Sequence, residues 1–271
     1  MKPTWLIEAN VDGLPSEALQ AAVRRHGMPV HVVKPFLHAK FPRDVLGAEA
    51  IPIHACTIFT GTLSLMRYIQ RHRRWLPGGW CNFENLACSC YYSFFGPFLL
   101  NRNYAMLPII EAIRLKKQIF SHYSRAGSVF VRPDSVDKSF GGKVVVADSF
   151  ESFLLQNATD PTMMVLVAEP QDISHEWRLF VAHSDVVTGS QYRLNGETAV
   201  APGLPKDVTE FAGKVLAQVQ WRPDPLFVMD VCESMDGFRV VELNSFSCSG
   251  HCASDLDAYV SVASRFAALQ S

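Results

Sequence analysis

Pro225-Leu-Phe-Val-Met-Asp-Val-Cys-Glu-Ser-Met-Asp-Gly-Phe-Arg-Val-Val-Glu-Leu-Asn244 sets three oxygen-bearing side chains, Asp230, Glu242 and Asn244, inside two otherwise apolar segments. Leu226 to Cys232 and Phe238 to Leu243 carry β-branched and large apolar residues, as strands do, and Asp236-Gly237 between them signals a hairpin. A three-residue loop, Met235-Asp236-Gly237 with Gly237 left-handed, places Asp230 opposite Glu242 and Asn244 two residues further along the same face. A two-residue loop turns Asp230 to the other face. In the first register the three oxygens converge, which suits a hard cation such as Mg²⁺ that takes one or two carboxylates and completes its octahedron with phosphates and water. A solvated surface hairpin is the competing reading. Against it, Val228, Met229, Val231, Val240, Val241 and Leu243 surround the donors, and an unpaired buried carboxylate is costly.

A chain of 271 residues holds one large domain or two modest ones, and 48% hydrophobic residues suffice for a core. The net charge of -1 gives no general attraction to nucleic acid or to an anionic membrane, although Arg67-Tyr-Ile-Gln-Arg-His-Arg-Arg74 is a local basic run. No apolar run reaches the length of a membrane span and no signal-peptide pattern opens the chain, so a soluble, cytoplasmic protein is expected. Seven cysteines in a chain of this size point to reduced thiols. Cys81, Cys88 and Cys90 form one group, and Cys248, His251 and Cys252 another, with spacings that match no common zinc site.

Upstream, Thr4 to Ala9, a helix capped by Ser16 and closed by Gly27, and Val30 to Val33 form a βαβ opening of a Rossmann-like layer, without the G-x-G-x-x-G of a dinucleotide site. Ile51 to Phe59 is a further strand, and Gly61-Thr62 starts a helix toward Arg74 whose N-terminus suits an anion. Leu76 to Phe98 reads as an irregular, packed connector. Tyr104 to Tyr123 reads as helical, kinked or restarted at Pro108. Ser128 to Pro133 and Lys143 to Ala147 form a hairpin around a polar tip, with Arg132 and Lys143 at its edges and Lys138 inside it. Cations flanking such a loop suit a polyphosphate, with the loop closing over it. A helix over Ser149 to Asn157 leads to the strand Met163 to Ala168, which ends at Glu169-Pro170. A second hairpin follows, Glu176 to Ala182 with Val186 to Leu194, where Glu176, Arg178 and Phe180 share a face. Pro205 to Gln220 is an amphipathic helix. Ser245 to Gly250 offers amides and hydroxyls to an anion, and a last helix starts near Asp255, capped by Ser254.

In this order the series resembles the ATP-grasp superfamily of ATP-dependent carboxylate-amine ligases, over about residues 100 to 271. It runs from a cation on a strand before a glycine-bearing loop, through an acidic strand end and Glu-x-Arg, to an Asp strand and a strand ending Glu-x-Asn. The resemblance implies an α/β fold of the α+β ATP-grasp kind. A Rossmann-like pre-ATP-grasp layer (1–100) would precede an ATP-grasp domain (101–271) that holds nucleotide between subdomains of about 101–168 and 169–271. It implies that Arg132 contacts ATP phosphates, that the loop through Gly141-Gly142 covers them, and that Glu169 sits beside the adenine. Glu176 would bind the ribose or orient a neighbouring cation, and Asp230, Glu242 and Asn244 would hold Mg²⁺. Arg132 stands where most of the superfamily has lysine, the mark of a divergent clade that includes the eukaryotic assembly factor for translation initiation factor 2. Val228 stands where many ligases have an arginine; Arg178, Arg193 or Lys143 would replace it. For the lysine near the domain start, Arg102, Lys116 and Lys117 are the candidates. The implied reaction joins a carboxylate to an amine through an acylphosphate, with Arg132, Lys143 and Arg178 stabilising charge. An ATP-binding assembly factor or chaperone acting on a protein partner is the alternative. The basic run near Arg71 to Arg74 and the aromatic Tyr91 to Phe98 segment are candidates to line a substrate groove.

Overall fold

The computed structural model describes residues 2–9, 11, 14–33, 51–72, 74–137, 139–158 and 160–270. Its first layer is a parallel sheet of β1 (Thr4–Glu8), β2 (Val30–Val33), β3 (Cys56–Thr60) and β4 (Leu76–Gly78), in the order β2-β1-β3-β4. Helix α1 (Ser16–Arg25) buries Leu19, Ala22 and Val23, the expected stripe, and Gly27 closes it at φ +66°. Ser16 does not cap it, since Pro15 holds that position and the Ser16 hydroxyl instead accepts from Gln20. Helix α2 (Leu63–His72) follows β3, which starts at Cys56 rather than at Ile51. The stretch expected to be irregular contains β4 and a helix, α3 (Cys88–Phe95), continued by a 3₁₀ turn at Gly96–Phe98.

A second sheet, in the order β5-β8-β6-β7, is antiparallel: β5 (Tyr104–Pro108), β6 (Ser128–Pro133), β7 (Lys143–Val146) and β8 (Met164–Ala168). Tyr104–Pro108 is thus a strand and not the first turn of a helix. Pairing with β8 along its whole length overrides a short apolar pattern that fits either structure. The helices here are α4 (Ile109–Arg114), α5 (Lys116–Tyr123) and α6 (Phe150–Asn157), which cover one face through a core of Ile109, Val129, Val131, Phe150, Leu154 and Val167.

The third sheet has the order β11-β10-β9-β12-β13, from β9 (Ile173–Ala182), β10 (Asp185–Leu194), β11 (Glu197–Pro202), β12 (Leu226–Ser234) and β13 (Gly237–Ser245). Strand β11, absent from the sequence reading, is reached through a tight turn in which Asn195 and Gly196 both have positive φ. Helix α7 (Lys206–Gln218) covers the face carrying Trp177, Leu179, Val181, Phe227 and Met229. The other face divides lengthwise. Phe180, Ala182, Leu226 and Val228 pack with Trp5 and Ile7 of the first layer and with α8 (Leu256–Gln270). Beyond them the same face turns polar, with Arg178, Glu176 and Asp230. Asp255, not Ser254, caps α8, its carboxylate accepting from the amides of Asp257 and Ala258. Among the described residues no helix is long and apolar enough to cross a membrane.

The register of the last hairpin is reached by a route the sequence did not disclose. Ser234 pairs with Gly237, so Met235-Asp236 is a two-residue turn, with Gly237 at φ +88°. That turn alone would carry Val241 opposite Asp230. A β-bulge follows instead: Val231 pairs with Val240 and Asp230 with Glu242, leaving Val241 as the extra residue. The bulge restores the pairing that a three-residue loop would have given.

Candidate active site

Asp230, Glu242 and Asn244 come together on the polar half of that face. The Asn244 Nδ2 lies 3.1 Å from the Asp230 Oδ2 and 3.0 Å from the Glu242 Oε1, so its amide bridges the two carboxylates. Each carboxylate also meets an arginine. Arg178, directly across the β9–β12 ladder from Asp230, donates from Nε to Oδ1 at 2.9 Å and from Nη2 to Oδ2 at 2.7 Å, a bidentate fork. Its Nη1 reaches the Gly250 carbonyl at 3.3 Å. Arg132 donates to the Glu242 Oε2 at 2.7 Å. These are buried pairs, with Asp230 at 0% and Arg132 at 8% side-chain exposure, where removing one partner strands the other. Burial works against the Arg178 charge, and Asp230 more than offsets it, raising the pKa above the ordinary arginine value.

Arg132, Glu176, Arg178 and Glu242 line a cavity of about 420 Å³ between the second and third sheets. Leu100, Phe130, Val144, Ile173 and Val241 supply its apolar wall, and Gly141-Gly142 borders it. Glu176 accepts from the Tyr192 hydroxyl at 2.7 Å and lies 3.8 Å from Arg193. Burial raises its pKa, and the Tyr192 hydrogen bond opposes the rise. Tyr192 and Arg193 line the cavity as well, and Tyr192 is the extra residue of a second bulge, on β10. Sequence reasoning missed Tyr192 because the bulge that turns it inward leaves no local trace.

Other expected residues fall elsewhere. Glu169 lines an adjoining cavity of about 440 Å³ with Asn101, Arg102, Asn103, Gln171 and Asp236. Lys143 shares the face of Val145, which packs toward α6, whereas Val144 is the β7 residue that lines the cavity; Lys143 therefore points away from it. Of the three cations expected in place of an arginine at Val228, Arg178 is the one that reaches Asp230, from the neighbouring strand. Arg102 pairs with Asp236, while Lys116 and Lys117 lie on α5 and line neither cavity. Lys138 and Arg73 lie outside the described residues.

The two expected anion sites are filled from within. At the start of α2, the Thr62 amide and hydroxyl both donate to the Glu8 Oε2, at 2.7 and 2.8 Å. A Cβ on Gly61 would come within 2.5 Å of that carboxylate, so glycine is required there. After Asn244, Ser245 donates to the Trp80 carbonyl, Ser247 accepts from the Trp80 amide and Ser249 donates to the Ser245 carbonyl, which commits the hydroxyls to folding the segment. Tyr91, Tyr92 and Phe95 are core residues and line no groove. His251 is wedged between Phe180 and Tyr259, its pKa lowered to about 3 by burial and by Arg178, and neither ring nitrogen has a hydrogen-bond partner among the described residues.

Among the described residues no group of three His, Cys, Asp or Glu side chains could hold a metal. Two carboxylates bridged by the Asn244 amide, which would turn its oxygen toward them to act as a ligand, fit Mg²⁺, which leaves most of its positions to phosphates and water. They do not fit a soft metal, which takes thiolates or imidazoles.

Known proteins share this architecture. D-cycloserine synthetase DcsG aligns over 97% of this chain and 99% of its own, with a TM-score of 0.64 at 12% identity. D-alanyl-alanine synthetase A from Vibrio cholerae aligns over 97% and 94%, with a TM-score of 0.58 at 14% identity. The ATP-grasp ligase PsnB, complexed with a minimal precursor, aligns over 96% and 99%, with a TM-score of 0.56 at 14% identity. At these identities the likeness is one of fold. A search of curated proteins gives no significant match. Residues 103–264 match the family described as ATP-grasp domain, R2K clade family 3. With more than half its length in that match, the chain belongs to the ATP-grasp family.

Proposed function

We propose that this protein is an ATP- and Mg²⁺-dependent ligase that activates a carboxylate as an acylphosphate and joins it to an amine. The observation that carries the reading is the pair of arginine–carboxylate contacts, Arg132–Glu242 and Arg178–Asp230, linked through Asn244 at the wall of a cavity between two sheets. Family membership supports it, as does the likeness in fold to two synthetases and a ligase.

In this reading the nucleotide lies between residues of about 101–168 and 169–271. Its base rests against Leu100, Ile173 and Val241, and Glu169 closes the end of the slot. Glu176 receives ribose hydroxyls, held in place by the Tyr192 phenol, whose pKa burial raises so that it keeps its proton. Asp230, Glu242 and Asn244 would hold Mg²⁺, which supplies charge neutralisation across the phosphates. Arg132 and Arg178 exchange a carboxylate partner for phosphate oxygens, and planar guanidinium matches both. The loop through Gly141-Gly142 excludes water. A substrate carboxylate oxygen then forms a bond to the γ-phosphorus while the bond to the β–γ bridging oxygen breaks, releasing ADP. The amine nitrogen attacks the acyl carbon, and phosphate leaves. Positioning and charge stabilisation account for the catalysis, and no protein nucleophile is needed.

The test is a screen of carboxylate and amine pairs for release of ADP and phosphate in proportion to new amide. Nucleotide binding that depends on a protein partner, with no amide formed from any pair, would overturn ligation in favour of an assembly factor.

A further inference from the structure

Two strands on different sheets must present Arg132 and Glu242 to each other, and one helix joins them. At its C-terminal end, α3 runs through the 3₁₀ turn into Leu99, which bridges to Val240, and Leu100, whose amide donates to the Val240 carbonyl at 2.8 Å, two residues before Glu242. Its N-terminal end is tied two residues beyond Arg132. The Cys88 amide donates to the Asp134 carbonyl at 3.0 Å, the Ser89 amide to the Asp134 Oδ1 at 2.6 Å, and the Ser89 hydroxyl to Oδ2 at 2.9 Å. Ala87 precedes the helix and offers no side chain to cap it. Asp134, the residue after β6, therefore caps α3 from a distant part of the chain, and its negative charge complements the helix dipole. Between the two ends, Cys88, Tyr91 and Tyr92 are buried beside the Arg132 guanidinium. The following turn is tied to the first layer as well, since Asp137 pairs with Arg67 of α2.

We propose that Asp134 is a positioning residue of the nucleotide site, acting through Arg132: by latching α3 to the end of β6, it fixes the distance across which Arg132 and Glu242 face each other. This rests on the nucleotide reading given above. The latch touches no ligand, and its effect should pass through the guanidinium alone.

The experiment is a double-mutant cycle on MgATP affinity, measured by titration calorimetry of the full chain with Asp134→Ala, Arg132→Lys and both. Asp134→Ala is expected to weaken MgATP about tenfold in the wild-type background and less than about threefold in the Arg132→Lys background, because residues acting as one unit are not additive. Asp134→Asn, which keeps an oxygen for the Ser89 amide, should recover to within about threefold of wild type, as substitution of one capping side chain by another does. Should Asp134→Ala fail to fold, Ser89→Ala carries the cycle, since it removes the hydroxyl bond and keeps the amide bond; a loss of about threefold, again absent in the Arg132→Lys background, is expected. Unchanged affinity in the folded variants, or equal losses in both backgrounds, overturns the proposal while leaving the nucleotide site intact. Failure of the wild type to bind MgATP overturns the nucleotide reading itself.

Discussion

The face of the third sheet that looks toward the first layer has two halves built from the same strands. On β9, Phe180 and Arg178 are two residues apart and point the same way; on β12, Val228 and Asp230 do likewise. Phe180 sits in an aromatic cage of Phe246, His251 and Tyr259, whereas Arg178 holds Asp230 in a fork. What differs is the cover. The first layer and α8 lie over one half and leave the other to the cavity. The apolar half gains from shape and area, and the polar half must neutralise every charge it buries. Stability and binding should therefore separate along a single strand.

The largest effect expected is on the apolar half. Phe180→Ala should cost about 3–5 kcal/mol in urea unfolding, as truncation of a buried phenylalanine does. At a temperature where the variant stays folded, its MgATP affinity should match wild type, and a lost affinity would break the separation. On the polar half binding itself should be lost. Glu242→Gln should remove the stabilisation by MgATP, which at a hundredfold excess over the dissociation constant amounts to about 2.7 kcal/mol, and should also lower the ligand-free melt, because it leaves the buried Arg132 charge without its carboxylate. Full ATP turnover in that variant would remove Glu242 from the site.

Asp224 sharpens the contrast, as a carboxylate outside the cavity. It accepts from the Asn82 amide at 2.6 Å, has no ion-pair partner among the described residues, and is pushed up to about 7 by burial. Because its folded pKa lies above the unfolded value, its contribution is present at pH below about 4 and is lost as pH rises through about 7. A thermal melt followed from pH 4 to 7 should thus decline less in Asp224→Asn than in wild type; parallel profiles would dismiss the effect. The smallest change is expected from Lys143→Ala, since an exposed side chain facing away from the cavity should alter MgATP affinity by no more than about twofold. A larger loss would show that Lys143 reaches the phosphates when the loop closes.

Much of this architecture could be read from local pattern. The apolar strands around Asp230 and Glu242, the hairpin carrying Arg132 and the amphipathic helix before Asp230 all follow from alternation, turn residues and helical spacing. Three things could not be read, each for a non-local reason. Tyr104–Pro108 is extended because β8 pairs with it. The partner of Asp230 is decided by the register of β9 against β12, 52 residues apart in sequence, so Arg178 could only stand beside Arg193 and Lys143 as a candidate. The bulges at Tyr192 and Val241 are written in no residue type, for valine in a strand is ordinary. The expected pairing of Asp230 with Glu242 was reached with the wrong turn, and the bulge supplied the missing residue.

The Val241 bulge also bears on how such a site survives change in its gene. The spacing from Asp230 to Glu242 is the sum of a turn and a bulge, two independent local choices, and the site depends only on the total register. A descendant that lengthened the tip by one residue and lost the bulge, or that deleted Val241 and kept the tip, would still set the two carboxylates opposite each other. Gaps in this hairpin are therefore no sign of a lost site, and a search that insists on a fixed interval between the aspartate and Glu-x-Asn would overlook working relatives.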